Sequence, residues 1–281
     1  MKWEDWHTHH YRCKHAEGNL EDYVETAIKK NFTTIGLSDH LPIDTTQHPS
    51  LEEFSNYFMP ETEIGAYLRE AKEIQKKYKS KINIRIGVEL DYILEQEDYL
   101  RSLISLHQEK LDYIIAGIHS IKLNGTYYSI FDQDEKNPLK LHDKKKITLI
   151  YFKLWEQLLE SQIDFDIIAH FDIIRIISNG LIQKDKELLA KISDLLDLIK
   201  KKNKVIEINT RSMYIRNELQ CPHDSILKLI QKKSIPIILG SDAHTPDEVG
   251  SYFQVVLEKL KLLGYTYFIH FNQRKRASFT I

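Results

Sequence analysis

The 281-residue chain has no Pro/Ser/Gly-rich linker, no low-complexity run and no internal repeat. It has only two cysteines, Cys13 and Cys221, so a disulfide framework is not expected and a reducing cytoplasm is the expected location. No segment approaches the ~18 consecutive apolar residues of a membrane-spanning helix. The polar N-terminus MKWEDWHTHH lacks the apolar core of a secretion signal. These absences exclude disulfide scaffolds and membrane spans.

The chain also lacks a large excess of positive or negative residues. Thirty-nine Lys and Arg oppose 41 Asp and Glu, which leaves a net charge of −2. The lysines, for example Lys29-Lys30, lie on amphipathic segments with acidic residues between them, and no basic stripe interleaved with aromatics is present. We therefore expect neither a nucleic-acid partner nor a membrane surface. The sequence does not indicate an oligomeric state.

Short apolar runs alternate with segments of helical periodicity along the whole chain, which predicts a parallel sheet covered by helices. About seven such units in one uninterrupted domain, residues 1–281, predict closure into a TIM-like α/β barrel; an open sheet is the alternative. Beyond a first short run around Trp3–Trp6, the predicted strands are Thr34–Leu37, Ile82–Leu90, Asp112–Ile118, Phe165–Ala169, Val205–Ile208 and Ile235–Leu239. The predicted helices are 20–31, 61–80, 95–110, 143–162, 184–202, 223–233 and 247–263.

Histidines and carboxylates follow the predicted strands, where the functional residues of such barrels lie. His7 and His9 project to the same side of an extended segment, because side chains alternate along a strand. Seven of the thirteen histidines, with two carboxylates, occupy such positions: His7, His9, His15, His40, His119, His170, His244, Glu89 and Asp242.

A single histidine at a strand end is more often a hydrogen-bonded imidazole than a metal ligand, and Asp39 or Asp242 alone could cap a helix. Burying so many titratable groups together, however, costs free energy unless divalent metals compensate. Nine candidate ligands exceed the needs of one tetrahedral ion and fit two or three. Cys13 is a weaker candidate ligand. His10 is left out of the ligand set because it points to the opposite face from His9. We interpret the other five histidines as surface or structural residues: His48, His107, His142, His223 and His270.

Seven short motifs resemble those of the PHP (polymerase and histidinol phosphatase) superfamily, in the same order, over about residues 5–250. They are DWHTH (5–9), CKHAEG (13–18), GLSDH (36–40), GVELDY (87–92), GIHS (117–120), AHFD (169–172) and GSDAH (240–244). Within the superfamily, CKHAEG, GVELDY and EINT (207–210) are most similar to the histidinol-phosphate phosphatases. Position 10 departs from the pattern, since His stands where a small hydroxyl residue is more usual.

The resemblance implies a distorted (β/α)7 barrel that holds three divalent ions, Zn²⁺, Mn²⁺ or Fe²⁺, at the C-terminal ends of its strands. It implies one ion on His7, His9, Glu89 and Asp242, a second on Glu89, His119 and His170, and a third on His15, His40 and His244. Asp39 is expected to orient a neighbouring imidazole through its second nitrogen. Clustered metals of this kind generate hydroxide and clamp phosphoryl oxygens, which suits phosphomonoester hydrolysis.

An arginine should add bidentate contacts to the phosphate. Arg175 is the first candidate, Arg211 and Arg216 are the next, and a surface salt bridge is the alternative role for each. A carboxylate that recognises an amino-imidazole substrate is expected among Glu17, Asp91 and Glu218. The proton donor to the leaving alcohol is not identified.

Three functions are compatible with these residues. The first is hydrolysis of L-histidinol phosphate in histidine biosynthesis, which makes a small phosphomonoester the expected partner. The second is a phosphatase or phosphodiesterase of the same superfamily acting on nucleotides or oligonucleotide ends, against which the missing basic stripe counts. The third is a non-catalytic metal-binding domain, in which ligands would be expected to be lost. We favour the first.

Overall fold

The computed structural model describes residues 2–132, 134–216 and 220–281. Seven parallel strands form one sheet in the order β1-β2-β3-β4-β7-β8-β9. The strands are β1 (Trp3–Asp5), β2 (Phe32–Leu37), β3 (Asn83–Asp91), β4 (Tyr113–Gly117), β5 (Ser120–Leu123), β6 (Thr126–Ser129), β7 (Ile167–Ile168), β8 (Val205–Asn209), β9 (Ile237–Gly240), β10 (Tyr267–Asn272) and β11 (Lys275–Thr280). The helices are α1 (Leu20–Lys29), α2 (Glu61–Tyr78), α3 (Glu97–His107), α4 (Pro138–Leu141), α5 (Lys144–Glu160), α6 (Arg175–Ser178), α7 (Lys186–Lys201), α8 (Arg211–Arg216), α9 (Asp224–Lys232) and α10 (Phe253–Leu262).

The two outer strands of the sheet approach each other and nearly close it. The backbone N–H of Trp6, just after β1, donates to the carbonyl of Leu239 in β9 at 3.1 Å. Thr8 and Ala243 form a parallel bridge beyond them. The predicted TIM-like barrel is therefore confirmed, and the open sheet is wrong. Among the described residues, no helix combines the length and apolar character needed to cross a membrane.

Large aromatic side chains fill the barrel interior below the strand ends. Trp6 and Tyr113 meet edge to face, with ring centroids 5.1 Å apart. The Tyr113 ring needs Gly87 beside it, because a Cβ there would lie 2.4 Å from the ring carbon that carries the hydroxyl. The phenol donates to the backbone carbonyl of Trp6 at 2.8 Å. This packed interior supports the strand ends that carry the histidines.

Two hairpins were not predicted. The β5–β6 hairpin lies between the predicted strand that ends at Ile118 and the predicted helix that begins at residue 143, where no element was predicted. Its Asn124-Gly125 turn, with both residues at positive φ, is a standard hairpin signal. The β10–β11 hairpin covers the N-terminal end of the barrel, where Phe271 packs against Trp6. Its turn places Gln273 and Arg274 at positive φ. Neither residue type favours that conformation, so the sequence carried no turn signal.

The last predicted helix begins later than expected. Residues 246–248 form a short 3₁₀ turn, and α10 begins only at Phe253. Gly250 and Tyr252 between them adopt left-handed backbone conformations, which interrupt a continuous helix. The interruption leaves the Glu248 carboxylate close to the barrel mouth, where it accepts from the backbone N–H of His244 at 2.7 Å.

Candidate metal centre

The C-terminal ends of the barrel strands bring all nine predicted ligand side chains to one mouth. His7 and His9 follow strand β1, Asp39 and His40 follow β2, and Glu89 lies near the end of β3. His119 follows β4, His170 follows β7, and Asp242 and His244 follow β9. His15 follows the 3₁₀ turn at residues 11–13. All of these side chains except His15 and His119 lie on buried residues.

The first group surrounds one oxygen of Glu89. Its Oε2 lies 3.2 Å from His7 Nε2 and 3.4 Å from His9 Nε2. The two imidazole nitrogens are 3.0 Å apart. Asp242 Oδ1 completes the group at 3.1 Å from His9 Nε2.

The second group surrounds the other oxygen of the same carboxylate. Glu89 Oε1 lies 3.2 Å from His170 Nε2 and 3.6 Å from His119 Nε2. The two imidazole nitrogens face each other at 3.1 Å. Glu89 therefore lies between two groups of ligand-type atoms, one at each oxygen.

The third group lies towards the outer edge of the mouth. His15 Nε2 and His244 Nε2 are 3.0 Å apart. His40 and His244 also form a compact set of possible ligand atoms with His9, and His40 Nδ1 lies 3.1 Å from Glu89 Oε2. In this geometry His9 adjoins both the first and the third group.

Buried polar side chains hold the imidazoles in place from behind. Glu207 Oε1 lies 2.6 Å from His7 Nδ1, and its second oxygen accepts from the backbone N–H of His170 at 2.9 Å. Asn209 donates to both Glu207 and Asp242, at 3.0 and 3.1 Å. Sequence reasoning assigned no role to Glu207 or Asn209. The available signal was one carboxylate and one amide, Glu207 and Asn209, in a strand whose other residues are apolar.

Two other carboxylates also contact imidazoles. Asp39 Oδ1 lies 3.4 Å from His9 Nδ1. Asp91 Oδ1 lies 3.2 Å from His119 Nδ1 and accepts from its backbone N–H at 3.1 Å. Asp91, one of the three candidate substrate carboxylates, thus contacts His119, and it also lines the cavity described below. Of the other two candidates, Glu17 is exposed and absent from the cavity lining among the described residues, and Glu218 lies outside the described residues.

The histidines of the mouth differ in the direction of their pKa shifts. Burial alone would lower the pKa of His7 and His119, but neighbouring carboxylates outweigh it and raise the pKa of His7 well above its ordinary value and that of His119 to about 9. Burial holds the pKa of His40 and His244 well below the ordinary value. Adjacent imidazoles hold the pKa of the Glu89 carboxyl well below its usual range despite its burial.

This donor set fits divalent metal ions. Three pairs of imidazole nitrogens face each other at 3.0–3.1 Å, and two nitrogens bound to one tetrahedral Zn²⁺ lie roughly 3.3 Å apart. Glu89 Oε2 is buried without a hydrogen-bond donor. Cys13 lies beside His9 and Asp39, but burial raises the pKa of its thiol, which donates to the carbonyl of His10. Imidazole and carboxylate atoms are therefore the available ligands.

A cavity of about 380 Å³ opens above these side chains. Its floor includes His40, Glu89 and His244, and its walls carry four aromatic rings and two guanidinium groups. The wall residues are Phe54, Tyr57, Phe58, Phe131, Ser129, Asp132, Ile215, Arg211 and Arg216. A cavity of this size suits a small molecule.

The three predicted phosphate-binding arginines separate into two groups. Arg211 and Arg216 line the cavity. Arg211 donates to the Asp242 carbonyl at 2.9 Å and to Glu248 at 2.7 Å. Arg175 is absent from the cavity lining among the described residues, and its guanidinium donates to the Gln220 carbonyl at 3.0 Å. It holds the segment that precedes α9.

Comparison with known proteins agrees with this architecture. The chain is 25% identical to a histidinol-phosphatase of Bacillus subtilis over 92% of this chain and all of that protein, and 23% identical to a histidinol-phosphatase of Saccharomyces cerevisiae over 89% and 86%. The crystal structure of a Lactococcus lactis histidinol phosphate phosphatase complexed with zinc, L-histidinol and phosphate superimposes with a TM-score of 0.77 at 18% identity, covering 98% of this chain and 99% of that one.

Two family models match. The PHP-associated model matches residues 222–261. The PHP domain model matches residues 5–211, most of the chain, and includes every strand-end side chain described above except Asp242 and His244. The chain therefore belongs to the PHP domain family.

Proposed function

We propose that this protein hydrolyses L-histidinol phosphate to L-histidinol and phosphate, as a step of histidine biosynthesis. The observation that carries the proposal is the cluster of seven imidazoles and two carboxylates at one end of a cavity that also presents two arginines. The similarity to proteins named histidinol-phosphatase supports the substrate.

Three divalent ions, Zn²⁺, Mn²⁺ or Fe²⁺, are proposed for the cluster. His7, His9, Glu89 and Asp242 would hold one ion, Glu89, His119 and His170 a second, and His15, His40 and His244 a third. When bound, such ions supply an acidified water as nucleophile and neutralise charge on the phosphoryl oxygens. Glu207, Asn209 and Asp91 keep the imidazoles in position through the contacts described above.

Arg211 and Arg216 are the proposed phosphate ligands. Arg211 is oriented by the Asp242 carbonyl and by Glu248, so its guanidinium is held at the cavity wall beside the metal cluster. Arg216 lies one helical turn and a half further along α8 and lines the same cavity. A planar guanidinium pairs with two phosphate oxygens at once.

The aromatic wall is the proposed site for the rest of the substrate. Phe131 packs near His119, with ring centroids 5.7 Å apart, and Tyr57 lies near His15 at 5.3 Å. These rings give the substrate imidazole flat apolar surfaces on which to stack. The exposed carboxylate of Asp132 at the same cavity offers a partner for the substrate ammonium.

The experiment is phosphate release from L-histidinol phosphate, beside 5′-nucleotides and an aryl phosphate, with Mn²⁺, Zn²⁺ or Fe²⁺ supplied. We expect kcat/KM of at least ~10⁴ M⁻¹s⁻¹ for histidinol phosphate and far lower values for the others. Comparable slow rates on all substrates would reject the substrate and retain a metal-dependent phosphatase. No release from protein with a full metal complement would reject the enzyme.

A further inference from the structure

A line of buried polar contacts connects the surface of α2 to His9. Arg12 donates to Glu70 at 2.6 Å and to His10 Nε2 at 3.0 Å. The opposite ring nitrogen of His10, Nδ1, is in close contact with Asp39 Oδ2. Asp39 Oδ1 then lies 3.4 Å from His9 Nδ1. The central members are almost fully buried, with 7% of Arg12, 1% of His10 and none of Asp39 exposed.

The proton positions along this line of contacts follow from the chemistry of its first member. A guanidinium has only donors, so His10 Nε2 must accept. The His10 proton therefore lies on Nδ1, the nitrogen that contacts Asp39 Oδ2. Asp39 accepts from the backbone N–H of His40 at 2.9 Å. The carboxylate is thus held between the backbone N–H of His40 and the ring of His10.

The fixed carboxylate determines which nitrogen of His9 carries a proton. Asp39 faces Nδ1 of His9, and the proposed metal ligands His7 and Asp242 face Nε2, so a bound ion would leave the His9 proton on Nδ1. That Nε2 is the atom which lies 3.0 Å from His7 Nε2 and 3.1 Å from Asp242 Oδ1. A neutral imidazole in this tautomer is the form that binds a metal through Nε2.

We infer that Arg12 and His10 are positioning residues which act through Asp39 to present His9 Nε2 to the metal centre. The inference rests on the proposed metal centre, although neither Arg12 nor His10 lines the cavity as the structure describes it. Sequence reasoning left His10 out because it alternates away from His9. The structure shows that this opposite orientation is what brings it to Asp39.

The first test compares Arg12→Met with Arg12→Lys, which retains a donor, and with Glu70→Gln, which weakens the surface end of the line only. We expect Arg12→Met to lower metal affinity, measured by competition with a chelator, by about 10- to 100-fold. KM should stay unchanged while kcat falls at subsaturating metal. Arg12→Lys should recover most of the affinity, and Glu70→Gln should change it less than Arg12→Met. A purely structural role would instead lower the melting temperature of metal-free protein and leave the chelator competition unchanged.

The second test needs no variant, so a failure of Arg12→Met to fold does not affect it. Long-range ¹H–¹⁵N correlation spectra of the wild-type protein report the proton position on each histidine ring. We expect the Nδ1–H tautomer at both His9 and His10. The Nε2–H tautomer at His10, or unchanged metal affinity in a folded Arg12→Met variant, would overturn the inference. Wild-type protein that binds metal without hydrolysing histidinol phosphate would reject the proposed function alone.

Discussion

The two ends of the barrel bury charge in different ways. At the N-terminal end, Asp166 is paired with Arg274 of the β10–β11 turn through two contacts of 2.6 and 3.1 Å. Asp112 accepts from the backbone N–H groups of Gln273 and Ile86, at 2.8 and 2.9 Å. Each acid there has donors from within the chain.

At the C-terminal mouth the central acid, Glu89, faces imidazoles instead. Glu89 lies within 3.6 Å of nitrogens of five histidines, and one of its oxygens has no hydrogen-bond donor. Such an arrangement is costly unless cations from outside the chain enter it. A buried carboxylate that accepts hydrogen bonds from the chain itself stabilises the fold. A buried carboxylate oxygen without such a donor indicates a site for a cationic ligand.

Glu89→Gln should abolish metal binding at the C-terminal mouth of the barrel and leave the fold of the N-terminal end unchanged. The substitution keeps the side-chain volume but removes the charge that both neighbouring groups share. We expect loss of bound metal and a fall in kcat/KM on the order of 1000-fold, equivalent to about 4 kcal/mol of barrier. Metal analysis and phosphate release check this, with urea unfolding of metal-free protein as the control. Near wild-type activity would contradict a shared carboxylate.

Arg216→Met should lower activity, whereas Arg175→Met should lower stability, because of these two only Arg216 lines the cavity among the described residues. Loss of a charged hydrogen bond to phosphate at Arg216 should lower kcat/KM by about 10- to 100-fold. Arg175→Met should leave kcat/KM per folded molecule unchanged and lower the urea midpoint, because its described contacts hold the segment before α9. The reverse pattern would restore Arg175 as the phosphate ligand.

Local sequence pattern was sufficient to predict the barrel and the nine side chains at its mouth. Near-continuous apolar strands, most of them followed by a histidine or carboxylate, indicate both features. The supporting contacts were not predictable in this way. Glu207 meets His7 across 200 positions of sequence, and that pairing depends on the register between strands that are distant in the chain. The contact of Arg175 with the Gln220 carbonyl was equally unpredictable, because the position of an arginine in the sequence does not give the direction of its long side chain.

Arg274→Met should make the stability of the N-terminal end of the barrel depend on pH, because it removes the partner of Asp166. Burial raises the pKa of Asp166 even with Arg274 present, and removing the guanidinium should raise it further. The folded state then disfavours ionised Asp166, so the stability deficit is largest above the folded pKa and shrinks as pH falls towards the unfolded value. We expect about 1–3 kcal/mol of destabilisation at pH 8 and a smaller loss at pH 5, from urea unfolding. Arg274→Lys is the control, and equal losses at both pH values would contradict the pairing.

The smallest expected effect concerns the turn that carries Arg274. Gln273 adopts φ 49°, in the left-handed region that Asn tolerates better than Gln. The hydrogen bond from residue 273 to Asp112 uses the backbone N–H and survives a change of side chain. Gln273→Asn should therefore raise stability by about 0.5 kcal/mol, seen as a higher urea midpoint. Phosphate release should not change, because the turn closes the end of the barrel opposite the metal centre. A change in kcat without a change in stability would show that the two ends of the barrel are coupled.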